Sequence, residues 1–169
     1  MLLVDGYNVL HAWSGLYREA SQNLAMARER LIDYLQDYQG YSGQEIILVF
    51  DSHLSRGNRQ HHTKGKLQIV YTRRFETADQ YIERVADQLA DDPRVQLRVA
   101  TSDAMEQLVV LGRGATRMSA HELWEELQGL RDDARPYMQV QADKDALELR
   151  LDGSLRRALG GIHDKKNKE

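Results

Sequence analysis

A 169-residue chain with 41% hydrophobic and 29% charged residues fits one soluble globular domain with one sizeable core. Its lack of cysteine excludes disulfides, thiolate zinc sites and cysteine nucleophiles and points to the reducing cytoplasm, and no apolar run approaches the ~20 residues of a membrane span. A net charge of −3 gives no global pull on nucleic acid, so any such attraction must come from a local basic patch.

Leu2 to Val4 reads as a short buried strand that runs into Asp5, and Gly6 permits a close turn after it. The N-terminus has no basic n-region, so no signal peptide is expected. The spacing of Leu24, Arg28, Leu31, Ile32 and Leu35 predicts a helix from about Ser21, its N-cap, to Tyr38, ended by the Gly40–Gly43 segment. Ile46 to Phe50 is a continuous apolar run, the pattern of a strand buried on both faces, and it ends at Asp51. Residues 52–66 read as a polar loop. Leu67 to Thr72 is a third strand, and Ile82, Val85, Ala86 and Leu89 mark a helix from about Thr77 to Ala90.

Val95 to Ala100 reads as a fourth strand, followed by Thr101-Ser102-Asp103 and a helix from about Ala104 to Leu111. Thr116 to Met118 is expected as a short edge strand, with Ser119 capping a helix to about Leu130. Residues 132–143 are polar and irregular, Leu155 to Leu159 is a last short helix, and 164–169 read as a disordered tail. A single domain is therefore expected over 1–163. Alternating strands and helices imply right-handed crossovers and a mostly parallel sheet covered on both faces, an α/β fold.

In such sheets the ligand crevice lies beyond the carboxyl ends of the strands. Asp5, Asp51 and Asp103 fall there, with Glu76 and Asp79 three apart at the following helix start. Carboxylates gathered in a crevice repel one another unless a cation sits between them, and Mg²⁺ or Mn²⁺ takes such oxygen ligands. Asn8 is placed to orient Asp5 or a substrate phosphate, and Glu83 to act as an outer ligand or to pair with a base. The rival reading of each acid is a cap of a turn or helix start.

The 52–66 loop carries His53, Arg56, Arg59, His61, His62, Lys64 and Lys66 and no acid. Arg73 and Arg74 extend this basic side. Cations beside an acidic metal site suit a polyanion such as RNA. Tyr7 and Trp13 either stack on bases or pack in the core. The chain has no Walker A loop, no G-x-G-x-x-G after a strand and no G-x-S-x-G elbow. Tyr7 stands where an aspartyl-nucleophile phosphatase would want a second acid.

The stretches Leu3-Val4-Asp5-Gly6-Tyr7-Asn8, Val49-Phe50-Asp51, Glu76-Thr77-Ala78-Asp79, Ile82-Glu83-Arg84, Ala100-Thr101-Ser102-Asp103 and Gly112-Arg113-Gly114-Ala115 together resemble the YacP-type NYN domains, a group of PIN-like nucleases. The match runs in order from Met1 to about Leu130. The resemblance implies an α/β/α sandwich, Mg²⁺ or Mn²⁺, and cleavage of RNA, with mRNA on the ribosome as the substrate. It maps the site onto Asp5, Asp79 and Asp103, with Asp51, Glu76 and Asn8 beside them. Metal-assisted hydrolysis leaving 5′-phosphate and 3′-hydroxyl ends is the expected chemistry. An RNA-binding module with a degraded site and a small-molecule phosphohydrolase are the two rival classes.

Overall fold

The computed structural model describes residues 1–51, 60–89, 92, 94–102 and 115–132. Met1–Leu130 is one compact unit; Arg131–Glu169 is a second, of which 131 and 132 are described. The readings for Arg56, Arg59 and Asp103, for the helices at 104–111 and 155–159, and for the C-terminal tail lie outside the described residues.

Six strands form one sheet in the order β3-β4-β2-β1-β5-β6, from β1 (Leu2–Asp5), β2 (Ile46–Phe50), β3 (Gln60–Lys64), β4 (Leu67–Tyr71), β5 (Arg98–Ala100) and β6 (Thr116–Met118). All neighbours are parallel except β3 and β4. Side chains of the inner strands alternate between two cores, as the two-residue period of a strand requires. Leu2, Val4, Ile46, Leu48 and Phe50 face one core, with Leu31, Ile32 and Leu35. Leu3, Ile47, Val49 and Val70 face the other, with Tyr81, Ile82 and Val85. A sheet apolar on both faces needs helices on both, so the α/β/α sandwich expected from the sequence is the fold found.

The helices are α1 (Gly6–Ala12), α2 (Ser14–Ala20), α3 (Leu24–Ser42), α4 (Ala78–Leu89) and α5, which starts at Ala120 and stays helical through residue 132. Helix α3 is capped by the Asn23 side chain, which accepts from the Ala25 and Met26 N–H groups, so the start expected at Ser21 moves to Leu24. It runs through Gly40 and stops at Gly43, whose φ of 66° suits the left-handed C-cap. Two capping boxes start the other long helices. Thr77 and Gln80 exchange bonds of 3.1 and 3.2 Å at α4, and Ser119 and Glu122 exchange bonds of 2.6 and 3.1 Å at α5.

Three expectations are corrected. Where the sequence predicts only a close turn at Gly6, the chain forms two seven-residue helices after Asp5. The polar loop at 52–66 contains the antiparallel edge strand β3. The strand from Val95 is ordered as β only from Arg98. Trp13 is buried, with ring centroids 4.8 Å from Trp124 and 6.0 Å from Tyr34, and its indole N–H donates to the Ala120 carbonyl at 2.7 Å. It is therefore a packing residue. Among the described residues no helix is long and apolar enough to cross a membrane.

Candidate active site

The parallel register places the ends of β1, β2, β4 and β5 along one edge of the sheet. The buried polar side chains of the described residues are Asp5, Thr72 and Thr101, and each lies at the end of one of these strands. Burying a polar group without compensation is costly, so three of them along one edge mark a polar seam in an otherwise apolar sheet.

Asp5 occupies the centre of that seam and is 7% exposed. It is the N-cap of α1, its carboxylate accepting from the Asn8 N–H at 3.0 Å. Burial pushes its pKa from 3.8 up to about 6; the Asn8 N–H pulls it down, and the negative charges of Asp79 and Asp51 push it further up. Asp5 thus senses both of the other carboxylates.

The turn that sets Asp5 depends on Gly6. A Cβ there would lie 2.6 Å from Cδ1 of Phe50 and 2.9 Å from the Val49 carbonyl oxygen. Phe50 is held in turn by stacking on Tyr71 at 5.5 Å and by the edge of Tyr7 at 5.1 Å. Tyr7, expected either on bases or in the core, packs on Phe50 and accepts from Arg28 at 3.4 Å.

Asn8 joins two strand ends. Its backbone serves Asp5, and its side-chain oxygen accepts from the Ser102 N–H at 2.7 Å. It thereby pins the segment that follows β5 and leads to Asp103. Asp51 follows β2 and accepts from the Ala78 N–H, which fastens the start of α4 to the sheet edge. Asp79 lies exposed in the first turn of that helix.

Glu76 is half-buried in the loop before α4. One of its oxygens accepts from the Arg73 N–H at 3.2 Å, and the other pairs with Arg84 at 2.6 Å. Glu83 is half-buried one turn after Asp79. The structure thus brings Asp5, Asp51 and Asp79 into one electrostatic set and shows Glu76 bracing its own loop.

The basic residues divide. Arg73 and Arg74 are exposed in the loop after β4, on the acid edge. Lys64 and Lys66 flank the β3–β4 turn at Gly65, where the register pairs Lys64 with Leu67 and Leu67 with Ile46. That is the opposite edge of the sheet, a strand length or roughly 15 Å from the acids. Lys64 lies 3.9 Å from Glu29, and Lys66 donates to the Gly43 carbonyl at 3.5 Å. A single polar loop over 52–66 places Lys64 and Lys66 with the acids, and strand β3 separates them. His61 and His62 are exposed along β3.

Carboxylate oxygens are the donors a hard divalent cation takes, and the Asp5 carboxyl is buried and disfavoured as an anion until positive charge arrives. Among the described residues, however, no three His, Asp or Glu side chains are grouped so that they could hold a metal ion by themselves.

The family model of the YacP-like NYN domain matches residues 2–163. YacP of Bacillus subtilis (strain 168) is 38% identical over 152 residues, which is 89% of each chain. The crystal structure of Rae1 (YacP) from Bacillus subtilis superposes with a TM-score of 0.73 at 36% identity, over 94% of this chain and 91% of that one. A second crystal structure, of a tryptophan-to-leucine mutant of Rae1, gives 0.68 at 37% identity, over 80% and 78%.

Proposed function

Because the chain belongs to the YacP-like NYN domain family and so carries a nuclease-like, RNA-related function, we propose that it is an endoribonuclease dependent on Mg²⁺ or Mn²⁺. Its substrate on this reading is single-stranded mRNA, met on the ribosome. The observation that carries the proposal is Asp5: a buried carboxyl at the end of the central strand, raised to about 6 and facing the charges of Asp79 and Asp51. A fold tolerates such an arrangement where function needs it.

On this reading the ion would be held by Asp5, Asp51 and Asp79 only together with Asp103, the further ligand that the resemblance implies, since the described acids are not grouped to hold it by themselves. When bound, the ion supplies charge neutralisation and Lewis acidity at the scissile phosphate. The chain's own part is placement. Asp5 is fixed by its bond from Asn8, and Asn8 fixes the segment after β5. Asp51 holds α4 at the sheet edge and so sets Asp79. Arg73 and Arg74 would neutralise flanking phosphates, helped by Arg56 and Arg59 between Asp51 and β3. In the reaction water adds to phosphorus as the bond to the 3′-oxygen breaks, leaving a 5′-phosphate and a 3′-hydroxyl.

The test is a cleavage assay with Mn²⁺ on RNA and on DNA, free and in translating ribosomes, with Asp5→Asn as control. Cleavage of RNA that is lost in Asp5→Asn and in EDTA supports the reading. Cleavage that survives EDTA, or hydrolysis of mononucleotides alone, overturns it.

A further inference from the structure

We propose that Phe75 is a stacking platform for a base of single-stranded RNA beside the acid site, an inference that rests on the nuclease reading above. Phe75 is 89% exposed. It is also the one non-glycine residue with positive φ among the described residues, at 68°. A Cβ and an aromatic ring make that region costly, and the ring recovers nothing through burial. Strain of this kind persists where the surroundings impose it, and it gathers at ligand-binding positions.

The surroundings here do impose it. The Glu76 N–H donates to the Arg73 carbonyl at 3.1 Å, and the Arg73 N–H donates back to the Glu76 carboxylate, so the turn is closed from both sides. Arg84 holds the same carboxylate, and the capping box at Thr77 and Asp51 on Ala78 fasten the loop's far end. The loop is anchored at both ends and displays its ring to solvent.

The chemistry around the ring selects the ligand. The Arg74 guanidinium lies 4.8 Å from the ring centroid, and Arg73, two residues before Phe75 in the chain, is exposed. An aromatic ring with a guanidinium over one face and a second arginine in the same loop suits a nucleotide, with the base on the free π-face and the phosphate on the cations. The loop leaves the same sheet edge as Asp5 and Asp51, where a chain bound for cleavage must pass. An apolar protein partner would gain little from a single ring flanked by charge.

The experiment uses the full chain carrying Asp5→Asn, so that the oligonucleotide is not consumed. Binding of a short single-stranded RNA with 2-aminopurine is followed by anisotropy and base fluorescence, with Phe75 intact or replaced by Ala, Trp or Gly. Phe75→Ala is expected to raise Kd about tenfold, and Phe75→Trp to preserve binding and quench 2-aminopurine. The salt slope is unchanged, because no cation is removed. Phe75→Gly relieves the strain and is expected to raise Tm while weakening binding as Ala does. A ring that only supports the loop would instead lower Tm when replaced by Gly, and that result overturns the proposal. Equal Kd for Phe75 and Phe75→Ala overturns it too, as does an effect seen with ribosomes but absent with free RNA. Loss of binding in Phe75→Ala alongside a wild type that cleaves no RNA would sustain the platform and sink the nuclease reading.

Discussion

Asp5→Asn tests the electrostatics of the site without any substrate. Moving a carboxyl from 3.8 to about 6 on folding corresponds to about 3 kcal/mol at about 1.4 kcal/mol per pH unit. At 7% exposure there is little solvent screening to discount. The folded state binds the proton more tightly than the unfolded chain. Stability is therefore fully present below 3.8 and falls as pH rises through about 6. Asparagine keeps a side-chain oxygen for the Asn8 N–H, so the cap is preserved while the charge is removed. Urea unfolding in EDTA is expected to show Asp5→Asn more stable than wild type by about 2–3 kcal/mol near pH 8, with the gap closing toward pH 4. Excess Mn²⁺ is expected to narrow or reverse the gap, since an ion held by the native acids stabilises the wild type more. Parallel stability curves for the two proteins from acid to alkali would refute the argument, and so would an Asp5→Asn protein that is less stable near pH 8.

Gly6→Ala pushes a methyl group into Phe50 and the Val49 carbonyl; a loss of about 1–3 kcal/mol by denaturant unfolding is expected, with activity falling as Asp5 shifts. Asn8→Ala removes the acceptor for the Ser102 N–H and is expected to cost about 1 kcal/mol in stability. Its cleavage rate, measured beside its Tm, should fall further than that loss explains. Arg73→Ala with Arg74→Ala is expected to make the salt dependence of RNA binding shallower by about 1 to 2 in slope. Lys64→Ala with Lys66→Ala, at the far edge of the sheet, is expected to leave that slope nearly unchanged.

Strands β1 and β2 were legible because each is an apolar run that a two-sided sheet must bury, β4 because of its β-branched and aromatic residues, and α4 because Ile82, Val85 and Ala86 recur at helical spacing. Strand β3 was hidden because Gln60-His61-His62-Thr63-Lys64 has no apolar face. An edge strand needs none, and charge there discourages pairing with other chains. Helices α1 and α2 are too short to show a period, and their packing rests on Val9, Leu10 and Leu16 meeting α3 in space. Asp5 and Asp51 were readable as strand-end carboxylates. Glu76 could not be separated from them in sequence, because its partners Arg73 and Arg84 look like any neighbouring bases. Asn8 meeting Ser102, and Tyr38 and Arg98 meeting on Glu126, are contacts between distant segments that no local pattern announces. Phe75 carried no signal at all, since its exposure and backbone angle belong to the folded loop.

The strand order also bears on how the molecule assembles. β1 is the first strand of the chain and sits at the middle of the sheet, paired with residues 46–49 on one side and 98–100 on the other. Neither neighbour is local, so the loop-closure entropy is lost before these contacts offset it, and folding is slowed accordingly. A growing chain that has reached only β4 has β1 and β2 but lacks β5, and with it the buried Thr101 that follows that strand and the Ser102 N–H that anchors Asn8. The acid edge is therefore completed only after more than half of the chain is present, when β5 closes the sheet on the second side of β1.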